Sequence, residues 1–322
     1  MRHPRRTRMA QRPHPRALLG MLATLLLVAL LLPSPAVVAE DPSAYPFTFT
    51  DDSGRAVTLE APPRRVVSLG PSNTEILYAI GAGDRLVGVD VYSDYPPEVE
   101  GLPKVGQLLE PDFERIVALR PDLVLLINLS QEHQERLRAL GLNAAHINAA
   151  TLADVYDRIL LLGRALDRED EARRVVEEMQ RRIEAVRRRV ASVPPADRPR
   201  VFYEVWPDPL MTAGPGSFIH DVIELAGGEN VAADAPAPWP AFSLESLVER
   251  APQVILTPFA ESVQALREDG RPGWSGFPAV RAGRIHLVDQ DVVGRPGPRV
   301  AQAVEELAAL FYPERFGREE AP

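Results

Sequence analysis

The chain reads as an α/β protein: two doubly wound lobes joined by one long backbone helix, with a ligand cleft between the lobes. Three observations predict this. Short apolar strand runs alternate with helix-length segments in both halves, the pattern of parallel sheets covered by helices. A charged amphipathic stretch from Glu169 to about Val190 separates the halves. A segment of the first half, residues 112–125, recurs without a gap at 243–256.

A length of 322 residues suits two domains. Hydrophobic residues at 45% and charged residues at 25% exclude a disordered, collagen-like or polytopic membrane chain. The absence of cysteine excludes a disulfide scaffold, a thiolate metal site, a cysteine nucleophile and a lipidated cysteine. At the start, Arg2, Arg5, Arg6, Arg8, Arg12 and Arg16 precede an apolar run from Ala17 to Leu32, then Pro33, Pro35 and Val37-Val38-Ala39. This is the layout of a secretory signal, residues 1–39, with cleavage after Ala39; about sixteen apolar residues fall short of the roughly twenty that span a bilayer. The signal holds six of the 36 basic residues and no acid, so the mature chain carries 30 basic and 45 acidic groups, a formal charge of −15. A nucleic-acid partner is not expected. A soluble periplasmic protein is.

In the mature chain, Phe47 to Thr50 and Ala56 to Leu59 flank Asp51-Asp52-Ser53-Gly54 and predict a β-hairpin. Arg65 to Leu69 is a buried-strand run; Gly70-Pro71-Ser72-Asn73 ends it and caps a helix through Ile80, which stops at Gly81 and Gly83. Leu86 to Val89 is the next strand. Asp112 opens a helix to Leu119 that Pro121 ends, and Asp122 to Ile127 is an unbroken apolar strand, as in a sheet buried on both faces. A helix from Ser130 and a strand from Ala144 to Asn148 complete the first lobe, residues 40–166.

The joining helix, within 167–195, places Val175, Val176, Met179, Ile183 and Val186 at spacings of three and four, a narrow apolar stripe on a charged cylinder. Pro194-Pro195-Ala196-Asp197-Arg198-Pro199 stops it. The second lobe, 196–322, shows strands near Val201 to Val205, Val254 to Thr257 and Arg284 to Val288. In the repeat, Glu114, Val117, Pro121 and Leu125 match Glu245, Val248, Pro252 and Leu256, and the apolar Phe113, Ile116, Leu123 and Val124 meet the apolar Leu244, Leu247, Val254 and Ile255. Gly70-Pro71, a helix and Gly81-Ala82-Gly83 correspond loosely to Gly214-Pro215, a helix and Gly227-Gly228. Two related lobes suit a ligand held between them, where strand C-termini converge.

Catalytic signatures are poor. Gly273-Trp274-Ser275-Gly276 lacks the spacing of a nucleophile elbow, no HExxH occurs, and His133, His146, His220 and His286 are scattered. Gly81-Ala82-Gly83 lacks the third glycine of a dinucleotide loop and reads as a helix cap. An enzyme is not expected.

Val66 to Glu75, Val91-Tyr92-Ser93-Asp94-Tyr95-Pro96-Pro97, Glu114 to Val124, Ala226 to Asn230, and Trp239-Pro240 followed by Ser243, Glu245 and Leu247 resemble the vitamin B12-binding proteins of ABC importers. These sit in the helical-backbone class of periplasmic solute-binding proteins, which also carries haem and ferric siderophores. The resemblance runs from about Arg65 to Leu310. It implies a monomer that captures cobalamin or a related corrinoid as cargo and delivers it to an inner-membrane permease dimer, with no cofactor and no reaction of its own. Tyr92 and Trp239 fall on positions that line the corrinoid pocket, and Asp291 and Arg295 on its polar positions. Leu108, Ile127 and Val205 replace pocket aromatics, and Trp206, beside Val205, can supply the missing face. A corrin is a largely apolar disc edged with amides, which aromatic walls and a few polar groups suit. Glu114 and Glu245, expected in the first turns of helices capped by Asp112 and Ser243, match glutamates that dock into arginine pockets of the two permease subunits. The alternative cargo is haem, with Tyr92, Tyr95 or Tyr203 on the iron, or a ferric siderophore, which wants clustered arginines. A secreted hydrolytic or metal-dependent enzyme is the remaining contrast.

Overall fold

A computed structural model describes residues 45–127, 131–268 and 270–317. The expected signal sequence, its cleavage after Ala39 and the start of the mature chain lie outside the described residues. Strands β1 (Phe47–Thr50) and β2 (Ala56–Leu59) form the expected antiparallel hairpin, Phe47 opposite Leu59. One oxygen of Asp51 closes its turn, accepting from the N–H groups of Ser53 and Arg55, both at 3.0 Å. The other accepts from the Gln134 amide at 2.6 Å and the His146 N–H at 3.1 Å, which ties the hairpin to the first lobe.

That lobe comprises β3 (Val66–Leu69), α1 (Pro71–Ala79), β4 (Leu86–Val89), α2 (Phe113–Ala118), β5 (Leu123–Leu126), α3 (Gln131–Ala139) and β6 (Ala144–His146). Its strands make one parallel sheet in the order β4-β3-β5-β6. The start of α1 differs from expectation. Gly70 is the N-cap, no side chain caps the helix, and Pro71 takes the first helical position, where its missing N–H leaves nothing unpaired and its fixed φ suits the helix. Ser72 and Asn73 are already helical; Asn73 donates to the Ile147 carbonyl at 3.1 Å instead. A Cβ on Gly70 would lie 2.7 Å from the Ile127 side chain, so this junction has room only for glycine.

Two helices then run between the sheets, α4 (Leu152–Ala165) and α5 (Glu169–Val190). The periodicity argument passes over α4, although Thr151 and Asp154 form a capping box at its start. Helix α5, about 33 Å long at 1.5 Å per residue, buries Val176, Met179, Ile183 and Val186 as its stripe predicts, with Val175 half-buried. Glu169, Asp170 and Glu171 occupy its first turn and Arg187, Arg188 and Arg189 its last, each charge set at the helix end that favours it.

The second lobe follows as β7 (Arg200–Tyr203), β8 (Trp206–Pro207), β9 (Leu210–Met211), α6 (Phe218–Leu225), β10 (Glu229–Asn230), α7 (Leu244–Arg250), β11 (Val254–Thr257), α8 (Ala260–Arg267), α9 (Pro278–Arg281), β12 (Ile285–Leu287), α10 (Gln290–Val293), α11 (Val300–Phe311) and α12 (Pro313–Phe316). Its parallel sheet runs β10-β7-β11-β12. With β3 matched to β7 and β5 to β11, the two sheets have the same order, as the repeat implies. Strands β8 and β9 form a separate antiparallel ribbon.

Because side chains alternate along a strand, each sheet feeds two cores. Val66, Leu123, Leu125, Val201, Tyr203, Val254 and Leu256 join one continuous cluster with the buried faces of α4, α5 and α11. Val67, Leu69, Val124 and Leu126 face a separate outer core in the first lobe, and Phe202, Ile255 and Trp274 another in the second. Helix α5 packs against α1 of the first lobe and against α6 and α11 of the second, and Arg182 grips Glu305 of α11 with two bonds of 2.9 and 2.6 Å. The lobes are thus halves of one packed body.

Candidate ligand cleft and paired surface helices

The expected site residues fall into two groups, Tyr92 with Asp291 and Arg295, and Trp206 with Trp239. After β4 the chain is held by Asp90, fully buried, whose carboxylate accepts from the Tyr92 N–H at 2.8 Å and the Ser93 hydroxyl at 2.7 Å. Burial pushes the Asp90 carboxyl up, and the Ser93 and Tyr92 donors oppose that rise. The Tyr92 ring itself stays half exposed on this fixed backbone, its phenol 3.3 Å from Gln107 Oε1.

Trp206 and Trp239 are the two exposed tryptophans, at 51% and 41%, while Trp274 is core. The Trp206 indole N–H donates to the Asp208 carbonyl at 2.9 Å, and its ring meets Phe259 edge-on at 5.7 Å. A buried network stands beneath that contact. The Phe259 N–H donates to Thr257 Oγ1 at 3.2 Å, Thr257 donates to Glu204 at 3.0 Å, and fully buried Glu204 is ion-paired with Arg271. Trp239 meets Phe218 edge-on at 6.3 Å. Its loop is pinned by Thr212 and Gly214 N–H groups donating to the carbonyls of Pro240 and Pro238. Met211 pairs with Trp206 on one side and bridges to Ala241 on the other, which makes the two tryptophan-bearing segments neighbours.

Asp291 and Arg295 come together as an ion pair of 2.6 Å, within a larger cluster that crosses between the lobes. Arg295 also reaches Asp94 at 2.7 Å, Glu75 at 3.3 Å and the Tyr92 carbonyl at 3.2 Å. Arg299 clasps the other side of Glu75 with bonds of 2.8 and 2.7 Å and lies over the Tyr95 ring at 4.2 Å. Glu75 is buried on α1 of the first lobe, whereas both arginines belong to the segment between α10 and α11. The Arg295 hydrogen bond holds the Asp94 carboxyl below the usual carboxylate range, its burial notwithstanding. Burial pushes the Asp291 carboxyl up, with Asp94 and Asp289 adding to the rise against the pull of Arg295. Asp291 and Arg295 were expected here through the resemblance alone; Glu75 and Arg299 gave no signal that a single sequence reveals.

The positions that depart from the aromatic pattern are filled as packing: Leu108 and Ile127 are half-buried, and Val205 packs against the shared core. Of the tyrosines named as iron ligands, Tyr203 is buried in that core, where burial raises its phenol, and Tyr95 is covered on one face by Arg299. No cluster of three or more metal-ligating side chains occurs among the described residues. A surface hollow of about 530 Å³ lies elsewhere, lined by Arg200, Asn230 and Arg250.

Away from the cleft, the repeat produces two helices of matching construction. Asp112 and Ser243 are the expected N-caps, accepting from the N–H groups of Arg115 at 3.0 Å and Ser246 at 3.1 Å. Glu114 and Glu245 stand exposed in the first turns. Each helix ends in a non-glycine residue in the left-handed region, Arg120 at φ 47° and Ala251 at φ 48°. An arginine then grips the free carbonyls. Arg65 bonds Leu119 and Arg120 at 2.7 to 3.2 Å, and Arg200 bonds Arg250 and Ala251 at 3.0 to 3.2 Å. The same arginines are tied through their N–H groups to Asp122 at 2.9 Å and Gln253 at 3.0 Å, which are also repeat partners.

Residues 66–292 match the family model described as periplasmic binding protein. The chain belongs to this family. Among its relatives, the uncharacterized ABC transporter substrate-binding lipoprotein YvrC of Bacillus subtilis is 34% identical over 311 residues, covering 92% of this chain and 98% of that protein. The vitamin B12-binding protein of Vibrio parahaemolyticus is 32% identical over 254 residues, 78% of this chain and 90% of that one. Among solved structures, the periplasmic heme-binding protein RhuT of Roseiflexus superposes with a TM-score of 0.69 at 30% identity, over 78% of this chain and 98% of that one. As a periplasmic binding protein of the B12, siderophore and haem class, the chain is an extracytoplasmic component that binds a transported solute and works with an ABC permease, without enzymatic activity. Among the described residues no helix is long and apolar enough to cross a membrane.

Proposed function

We propose that the transported solute is cobalamin or a related corrinoid, bound between Tyr92, Trp206 and Trp239 with Asp291 and Arg295 at the polar edge. The observation that carries this reading is the state of the arginines. Arg295, which donates to the Tyr92 carbonyl, and Arg299, which lies over Tyr95, are already engaged by Glu75, Asp94 and Asp291. Those three carboxylates outnumber the two guanidinium groups, so this edge offers an anionic siderophore or the propionates of haem little positive charge. A corrinoid edged with neutral amides needs none; it needs exposed aromatic faces, and the two tryptophans held edge-on by Phe259 and Phe218 supply them.

In the same reading the protein is a monomer, free in the periplasm after cleavage at Ala39, and Glu114 and Glu245 contact the two subunits of the permease. Haem is the second reading, favoured by the exposed phenol of Tyr92. Purified protein titrated with cyanocobalamin, haemin and ferrichrome separates the cargoes by absorption spectrum. Tight binding of cyanocobalamin, unaffected by chelator because the cobalt arrives held in its ring, is the expected result. Saturable binding of haemin alone, with an iron–phenolate band lost in Tyr92→Phe, would replace this reading with the second.

A further inference from the structure

The two helices that carry Glu114 and Glu245 expose an apolar side chain that the fold does not use. In each, the apolar residue two positions after the glutamate, Ile116 or Leu247, is fully buried, while the valine three positions after it faces solvent. Val117 is 39% exposed and Val248 55%. They are repeat partners, and a residue three positions on shares the helix face with its glutamate. One exposed valine is ordinary. Here the same pair, an acid and a valine on one face, is built twice, on helices whose ends are locked by matching arginine clamps.

We infer that Val117 and Val248 are two copies of one apolar contact, each beside its glutamate, that seat this protein on two identical permease subunits. The inference rests on the docking reading above and adds the residues that give it a dry centre. A partner that meets both patches must present one surface twice, as a two-fold dimer does, and its chemistry is fixed by the patches: a cationic side chain for each carboxylate and an apolar spot for each valine. The clamps of Arg65 and Arg200 hold both helix ends through matching bonds.

The native chain has no cysteine, so single-cysteine variants carry a maleimide benzophenone at one position only. Val117→Cys and Val248→Cys, with Glu114→Cys, Glu245→Cys and the exposed Arg188→Cys on α5, would each be labelled, mixed with spheroplasts of the source bacterium and irradiated, and the adduct identified by mass spectrometry. Both valine positions are expected to capture one and the same importer membrane subunit, and position 188 is not. Adducts from the glutamate positions without any from the valine positions would overturn the apolar contact and leave docking standing. Adducts to two different polypeptides would overturn the identical-subunit geometry, and none from any of the four would overturn the docking reading itself. As a second readout, Val117→Ser with Val248→Ser should weaken stimulation of the captured importer's ATPase about tenfold or more with unchanged cyanocobalamin binding. Full stimulation would refute the contact.

Discussion

Replacing Glu75 by alanine tests the cluster that joins the lobes across the cleft. The substitution deletes a buried carboxylate with three bonds to two arginines. Arg295 keeps Asp94 and Asp291, but Arg299 loses both of its bonds to a carboxylate and keeps the face of Tyr95 and the more distant charges of Asp291 and Asp289. Breaking a buried pair by removing one partner costs about 3–5 kcal/mol, because the other charge is left uncompensated. The arginines here retain a little solvent access, which sets the expectation at about 2–4 kcal/mol. Urea unfolding at pH 7 measures it. The three tryptophans at 206, 239 and 274 all lie in the second lobe, so fluorescence follows that lobe while far-UV circular dichroism follows both. Glu75→Ala should lower the midpoint on both probes together, because the shared core keeps the lobes cooperative even without the cluster. A loss under about 0.5 kcal/mol would refute the argument that Glu75 neutralises two desolvated cations. Separation of the two transitions would instead show that the cluster, and not the core, couples the lobes.

Trp239→Ala should weaken cyanocobalamin binding by about 1–3 kcal/mol with the fold intact, since it removes a large exposed aromatic face; unchanged affinity in a fluorescence-quenching titration would remove Trp239 from the site. Asp94, with its folded pKa held down by Arg295, contributes stability that is present above the ordinary carboxylate pKa of about 3.9 and is lost as pH falls through the depressed folded value. The stability gap between wild type and Asp94→Asn should therefore be level from pH 7 to 5 and close only below about pH 4, and a gap closing near pH 6 would contradict the assignment. Glu114→Arg with Glu245→Arg should leave cargo affinity unchanged and abolish stimulation of the permease ATPase, because like charges then face each other. Normal stimulation by that double variant would sink the docking role.

Much of the architecture was legible because it is written in local pattern. The strand Leu123–Leu126 is an unbroken apolar run and Val254–Thr257 an apolar run closed by Thr257, and both proved buried on both faces; the stripe of Val176, Met179, Ile183 and Val186 announced the long helix. The repeat foretold two related lobes, and the two sheets share one strand order. What escaped has a common cause. Glu75 and Arg299 meet across more than two hundred residues, and no local spacing encodes such a contact. Gly70 looked like a strand terminator, but its reason is the side chain of Ile127 pressed against it. The clamps of Arg65 and Arg200 precede strands in positions where an arginine appears to be only surface charge. Their role emerges once two left-handed helix ends are seen beneath them. For the aromatic site, sequence supplied the ring types, and the structure adds what props them: Phe259 on its buried Glu204 and Thr257 network, and Phe218 at the first turn of α6.

The single core that runs through both lobes also bears on how this chain can be divided. Each sheet retains a private outer core, while the inner faces have merged around α4, α5 and α11. A half-molecule cut anywhere along α5 would carry its own outer core and expose an entire sheet face to water. Expressed alone, either lobe should pair with itself or precipitate, and the two fragments should regain a native fold only when refolded together.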